Sequence, residues 1–453
     1  MKVLKIGGNC LKDMDSFHRV ISIICQEKEQ VPVVSAVHGV TTQLKTGIQK
    51  ALYTEKSVPK VIAQVRETHE KIAEETIDDE RIKARTLKSM EMRLDKLERL
   101  LYGIAYTEEL SQNVRSTILS YGERLSAVLL AGILSANGHE AVEMESDKIG
   151  LFTDDFPNSA TANIPKVKEN FKLSVLPVIE QGKIPIITGY FGCTEEGKIT
   201  TFGSNGTDYS AAVVANALGA DSLIIWKDVD GFMTSDPKVV KGAKSIQELS
   251  YFEAAELSYF GAHILHPRTV EPLADLGVPI YIKNIYEPEG KGTKIHAEAP
   301  MLENVVKSVT SNEHISVLRI SGAGVGYKPG IISDIGNELS DMGINIYSII
   351  TSQTCINLLI DKQDSKRSLD AIKKLAGDVI SSVTLDEDFA LIAVVGKGLL
   401  KTKGLAAKAF SAVADEDINV EMLSGGASKV AYYFIVKEAD VDRALRAIHS
   451  EFF

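Results

Sequence analysis

Residues 198–221 read KITTFGSNGTDYSAAVVANALGAD. A loop of small and hydroxyl residues (Thr200, Thr201, Gly203, Ser204, Asn205, Gly206, Thr207) delivers a single acid, Asp208, into an alanine-rich helix. Such a loop suits an anionic ligand, because its backbone N–H groups can approach closely and the helix N-terminus adds a favourable potential. Yet no cation follows Lys198 before the end of that helix. A cation is offered elsewhere. KIGG places Lys5 at a strand end, directly before Gly7 and Gly8. Glycines there admit a phosphate, and the lysine can neutralise charge on a phosphoryl group in transfer. Lys-x-Gly-Gly also fits an ordinary surface turn, and it is neither a GxxxxGK[ST] loop nor a GxGxxG fingerprint.

The elements that must position these residues follow a regular pattern. KVLKI ends at Gly7-Gly8, a helix is expected over 15–28, and VPVVSAV (31–37) precedes Gly39 and a helix from about 42. Strand, glycine turn and helix recur at HEAVEMES, KIPIITGYFG, DSLIIWKDVD and VPIYIKN, which indicates an α/β sheet. With 453 residues the chain needs two or three cores. The 50 Lys+Arg against 61 Asp+Glu give a net charge of −11, which argues against nucleic acid or an anionic membrane as partner. No run approaches membrane-spanning length, and Cys10, Cys25, Cys193 and Cys355 are scattered without metal-ligand spacing. A cytoplasmic location is expected.

Residues 56–118 lack strand character, and Leu87, Met90, Leu94, Leu97 and Leu101 step by 3 and 4 along one helical seam. A helical insertion packed on the main domain is expected, with an oligomer contact as the alternative. The last third contains an internal repeat. Residues 320–350 superpose on 394–424 without a gap, so Gly322, Gly324 and Gly330 fall on Gly396, Gly398 and Gly404, and Ile344-Asn345 falls on Ile418-Asn419. Each copy reads as strand, glycine loop, helix, strand, strand, which suits a paired ligand-binding module.

KIGGNC, VVSAVHGVTTQL, YGERLSAVLLAGIL, FGSNGTDYSAA, DVDGFMTSDPKVV and ELSYFGAHILHPRTVEPL occur in that order. Over the whole chain this resembles the aspartokinases of the amino-acid kinase family. The resemblance implies a kinase fold, a mainly parallel sheet flanked by helices, over 1–305 with the insertion at 56–118. It implies two C-terminal α+β ACT (ferredoxin-like) modules over 312–385 and 386–453, the last strand able to pair back into the first module. It implies transfer of the γ-phosphoryl of MgATP to the β-carboxylate of aspartate, the first step towards lysine, threonine and methionine. Lys5 would hold the phosphoryl group. Asp208 would position Lys5 and help to hold Mg²⁺. Glu123 would bind the substrate ammonium, with Ser35, Thr41, Ser204 and Thr207 around the amino acid. ATP would lie against Gly7, Gly8, Lys227, Asp228, Met233, Lys238 and His263. An amino-acid effector would bind at Ile344, Asn345, Ile418 and Asn419, across ACT modules paired in a homodimer or higher homo-oligomer.

Departures from the family pattern gather at the site. The family loop resembles LGRGGSD, whose arginine grips the substrate α-carboxylate, and here Ser204 takes that place. Lys227-Asp228 replaces Thr-Asp, Met233 replaces a tyrosine, Lys238 an arginine and His263 a lysine. Asn9 and Cys10 replace hydroxyl residues. A paralogue acting on another amino acid, or a catalytically weak ACT-based sensor, is the competing expectation.

Overall fold

The aliphatic runs become strands of one eight-stranded sheet in a computed structural model that describes residues 1–156, 158–262, 264–301, 305–377 and 379–453. The chain forms two compact units. The first comprises Met1–Phe232, Ser245–Ala255 and Ile264–Ala299, and the second Met233–Lys244, Glu256–His263 and Pro300–Phe453.

The strands up to residue 295 are β1 (Lys2–Ile6), β2 (Gln30–Val34), β3 (Ala141–Met144), β4 (Ile184–Thr188), β5 (Phe191–Cys193), β6 (Ile199–Thr201), β7 (Ser222–Lys227), β8 (Glu248–Leu249), β9 (Ile280–Asn284) and β10 (Thr293–Ile295). The helices up to residue 274 are α1 (Met14–Cys25), α2 (Val40–Tyr53), α3 (Val58–Thr76), α4 (Glu80–Thr107), α5 (Gln112–Ala136), α6 (Ile164–Ser174), α7 (Leu176–Glu180), α8 (Gly206–Leu218), α9 (Tyr251–Leu257) and α10 (Glu271–Ala274). The sheet order is β3-β4-β2-β1-β7-β9-β10-β8, with β5 and β6 forming a separate hairpin. All pairings in the large sheet are parallel except β9 with β10. Parallel strands covered on both faces need near-continuous apolar sequence, and every residue of β2 is buried. The register sets Lys5 opposite Val33 on β2 and Ile225 on β7. Lys5 is therefore fixed at the centre of the sheet, at the carboxyl ends of the strands.

The seam residues Met90, Leu94, Leu97 and Leu101 are buried in the same core as Ile6, Phe17 and Leu125, with Leu87 packed at its edge. Helix α5 corrects one expectation. By length and composition it is apolar enough to cross a membrane, but 94% of its most apolar window is buried inside the protein. It is apolar all round because α2, α4, β3 and β4 pack around it.

The second unit carries β11 (Ser308–Asn312), β12 (Ile315–Ser321), β13 (Ile346–Thr351), β14 (Cys355–Asp361), β15 (Ser382–Asp386), β16 (Phe389–Val395), β17 (Met422–Gly425) and β18 (Ala431–Lys437). Its helices are α11 (Ile331–Asp341), α12 (Ser365–Lys373), α13 (Leu405–Asp415) and α14 (Val441–Phe452). They make two antiparallel sheets, β13-β14-β12-β15 and β11-β16-β18-β17. The repeat is visible in the backbone: Gly330 and Gly404 open α11 and α13 at φ 96° and 85°, a region that penalises any Cβ. The last strand does not pair back into the first module. β18 lies between β16 and β17, and the crossing strand is β11, which precedes the first module and fills the edge beside β16 that β15 fills beside β12.

Candidate active site

Lys5 and Asp208 meet although 203 positions separate them in the chain. The Lys5 Nζ lies 2.8 Å from Asp208 Oδ1. Lys227, the last residue of β7, places its Nζ 3.2 Å from Oδ2 of the same carboxylate. The backbone N–H of His266 donates to that Oδ2 at 3.2 Å. Asp208 sits in the first turn of α8 and is fully buried. Burial alone would raise its pKa, but Lys227 and Lys5 together hold it down to about 2. Burial and the charge of Lys5 lower the pKa of Lys227, against the pull of Asp208. Two ammonium groups on one carboxylate leave a net positive charge in a largely dry site.

Gly7 and Gly8 shape the space in front of this charge. A Cβ on Gly7 would lie 3.3 Å from the Lys5 Nζ and 3.2 Å from the Trp226 carbonyl, and one on Gly8 would lie 3.0 Å from the Ala36 carbonyl. Asp228 is exposed on the rim and accepts from the Asn9 amide at 3.0 Å, and the other end of that amide meets His38 Nδ1 at 2.9 Å.

Glu123 comes from the middle of α5. Its Oε1 accepts the Ala36 N–H at 3.1 Å, which brings it beside Ser35 at the end of β2. Its Oε2 is buried with no hydrogen-bond partner. Burial drives its pKa up to about 8, although Ala36 N–H and Lys5 oppose the shift. An orphaned, buried carboxylate oxygen is the complement of an ammonium group. Thr41 lies in the first turn of α2, half-buried, behind Gly39 at φ 82°. Thr207 is buried, whereas Ser204 is exposed on the loop. The hydroxyls of Thr200 and Thr201 bond within the fold, to Thr153 at 2.6 Å and Asn158 at 3.3 Å.

Two residues of this neighbourhood went unread in the sequence. Tyr190, at φ 71°, holds a left-handed backbone unusual for a bulky side chain. Its hydroxyl is hydrogen-bonded to Thr201 and feels the charges of Glu123 and Arg115, and burial pushes its pKa up to about 12. The only available sign was its place between Gly189 and the β5–β6 hairpin. His266 acts through its backbone, which no side-chain pattern reveals.

Asp208 is also the residue expected to help hold Mg²⁺. Both of its oxygens face lysine ammonium groups, and among the described residues no cluster of three or more His, Cys, Asp or Glu side chains forms. Met233 and Lys238 belong to the second unit, where the Met233 carbonyl accepts from Ser308 at 2.8 Å and Lys238 is exposed. His263 lies outside the described residues. At the effector positions, Ile344 and Ile418 are buried in the two module cores, so their side chains pack rather than face a ligand. Asn345 and Asn419 are exposed. Asn345 is hydrogen-bonded to the Tyr259 hydroxyl, and Asn419 donates to Glu421 at 2.9 Å.

The amino acid kinase family model matches residues 1–284, and an ACT domain model matches 392–452. Chloroplastic aspartokinase 2 of Arabidopsis thaliana is 30% identical over 471 residues, covering 100% of this chain and 84% of the plant protein. The bifunctional aspartokinase/homoserine dehydrogenase of Buchnera aphidicola is 30% identical, covering 100% of this chain and 56% of that protein. Among solved structures, E. coli aspartokinase III in complex with aspartate and ADP (R-state) matches with a TM-score of 0.86 at 26% identity, covering 100% of both chains. The same enzyme in complex with lysine and aspartate (T-state) matches with a TM-score of 0.80 at 26% identity, covering 100% of this chain and 99% of that one.

Proposed function

This chain belongs to the amino acid kinase family as an aspartokinase with C-terminal ACT domains, and from that premise we propose that it phosphorylates the β-carboxylate of L-aspartate with ATP. A β-carboxylate oxygen attacks the γ-phosphorus, the bond from that phosphorus to the β–γ bridging oxygen breaks, and 4-phospho-L-aspartate and ADP leave. The substrate is the nucleophile, so the protein contributes alignment and charge. The observation that carries this reading is the buried Lys5–Asp208–Lys227 group. Asp208 orients both ammonium groups before the substrates arrive, so charge developing in transfer meets fixed cations. Glu123 takes the substrate ammonium through its unpartnered oxygen.

Magnesium is part of the proposal as an ion carried on the phosphate oxygens of the nucleotide, the usual place for a cation that keeps much of its water. The four cysteines are free thiols, which supports a reducing, cytoplasmic setting. Release of ADP across a panel of amino acids tests the reading. Turnover with aspartate well above every other acid is expected, and background rates with aspartate at any concentration would overturn it.

The raised pKa of Glu123 has a consequence for binding. At about 8 in the free enzyme, Glu123 holds its proton at neutral pH. The substrate ammonium favours the carboxylate, so binding expels that proton. Affinity for aspartate should rise as pH climbs towards 8 and level off above it. Calorimetry at neutral pH in buffers of different ionisation enthalpy should show release of about one proton per aspartate bound. An enthalpy independent of buffer would remove Glu123 from the ammonium site.

Regulation by an amino acid at the ACT modules of a homodimer belongs to the same proposal. Asn345 and Asn419 occupy equivalent positions after α11 and α13, exposed and with amides suited to the charged ends of a free amino acid. Asn345→Ala or Asn419→Ala should weaken effector binding about tenfold, the worth of one hydrogen bond to a charged group. Titration of each variant with lysine, threonine and methionine checks this. Affinities equal to those of the parent would assign both asparagines to turn geometry alone.

A further inference from the structure

An α-amino acid bound at Glu123 brings a carboxylate next to its ammonium, and a carboxylate drawn out of water needs a cation. The loop at 202–206 supplies none. Most cations on the surrounding elements are committed. Lys5 and Lys227 hold Asp208. Arg124 holds Glu145 and Asp147, and Lys198 holds Asp155. Arg268 holds Glu271 and donates to the Ala160 carbonyl.

Arg115 stands apart. It lies in the first turn of α5, half-buried, and among the described residues its guanidinium has no ion pair. The structure ties that turn to the loop that carries Ser204. A Cβ on Gly203 would come within 2.7 Å of the Asn158 carbonyl, so the loop lies directly on Asn158. The Asn158 amide donates to Gln112 Oε1 at 3.0 Å and accepts from Thr201 at 3.3 Å. Gln112 is one helical turn before Arg115, on the same face of α5. The Tyr190 hydroxyl is within electrostatic reach of both Arg115 and Glu123.

We infer that Arg115 binds the α-carboxylate of the amino-acid substrate, from the start of α5, and that the small side chain of Ser204 leaves room for it. The inference rests on aspartate as the acceptor. A guanidinium on a helix packed into the core is held more firmly than one on a glycine loop, so the grip is moved rather than lost.

The test uses the full-length enzyme with aspartate and with aspartate α-amide, in which the α-carboxylate is a neutral carboxamide and the accepting β-carboxylate is retained. In Arg115→Met, KM for aspartate should rise about ten- to a hundredfold, as expected for loss of a charge-assisted bidentate contact. KM for ATP should hold, kcat for aspartate should change little, and kinetics with the α-amide should match those of the parent. The preference for aspartate over its α-amide should thus collapse. Arg115→Lys should give an intermediate KM, because charge remains and the fork is lost. Adding Ser204→Arg to Arg115→Met should recover much of the affinity. An unchanged KM for aspartate, or an equal loss with aspartate and α-amide, would overturn the assignment while leaving the kinase reading intact. No ADP release by the parent enzyme with aspartate would overturn the kinase reading itself.

Discussion

Lys5→Met is expected to lower kcat by about 10²–10³-fold, with a much smaller change in KM for ATP. The Lys5 ammonium is fixed at 2.8 Å from Asp208 before any substrate binds, and neighbouring β2 and β7 hold its strand on both sides. It therefore needs no reorganisation when charge moves onto the transferring group. Methionine preserves much of the length and fill of the side chain, so the loss reports charge rather than a cavity. Lys227 would remain and would sustain residual turnover, which separates this site from one with a single cation. Steady-state kinetics against both substrates measures the split. A rise in KM for ATP with kcat unchanged would place Lys5 in ground-state nucleotide binding only.

Asp208→Asn should act on stability as well as on rate. The substitution leaves two ammonium groups facing each other across a neutral amide, in a position the solvent does not reach. Breaking a buried ion pair from one side costs about 3–5 kcal/mol. The pKa of Asp208 is held down to about 2, so in the parent its charge is intact throughout the neutral range, and its contribution is lost progressively as pH falls from the ordinary carboxylate range, about 4, through about 2. The variant should unfold at lower denaturant across the neutral range and lose most of its turnover. Combining it with Lys227→Met removes one of the opposed charges and should recover much of the stability but not the activity. Chemical denaturation of the single and double variants gives the coupling directly. An Asp208→Asn protein as stable as the parent would mean that the lysines do not share this carboxylate in solution.

The parts of the site written in contiguous residues could be read from the chain. Lys5 before Gly7-Gly8, Glu123 inside GERLSA and Asp208 inside TDYSAA each sit where a strand ends or a helix runs, and the pattern of aliphatic strands and glycine turns supplied the sheet. What escaped depends on pairings distant in sequence. Lys227 is expected at the nucleotide, but its pairing with Asp208, 19 positions before it, depends on β7 lying alongside β1, from which it is more than two hundred residues distant. The His266 contribution is a backbone N–H, and the backbone of Tyr190 at φ 71° is imposed by its surroundings rather than by its type. The repeat gave both ACT sheets but not the crossing of β11, since an edge strand's partner is chosen by tertiary packing. Ile344 and Ile418 lay in a suggestive register, yet their apolar side chains belong to the module cores.

In the proposed function, two fixed lysines and an orphaned acid serve phosphoryl transfer to a side-chain carboxylate. The product of that transfer is an acyl phosphate, which hydroxylamine converts to a hydroxamate. Mass spectrometry of a reaction containing the enzyme, MgATP, aspartate and hydroxylamine identifies the captured product. The β-hydroxamate of aspartate should accumulate in step with ADP. ADP formed without hydroxamate, or no product of either kind with aspartate, would rule out phosphoryl transfer to the β-carboxylate of aspartate.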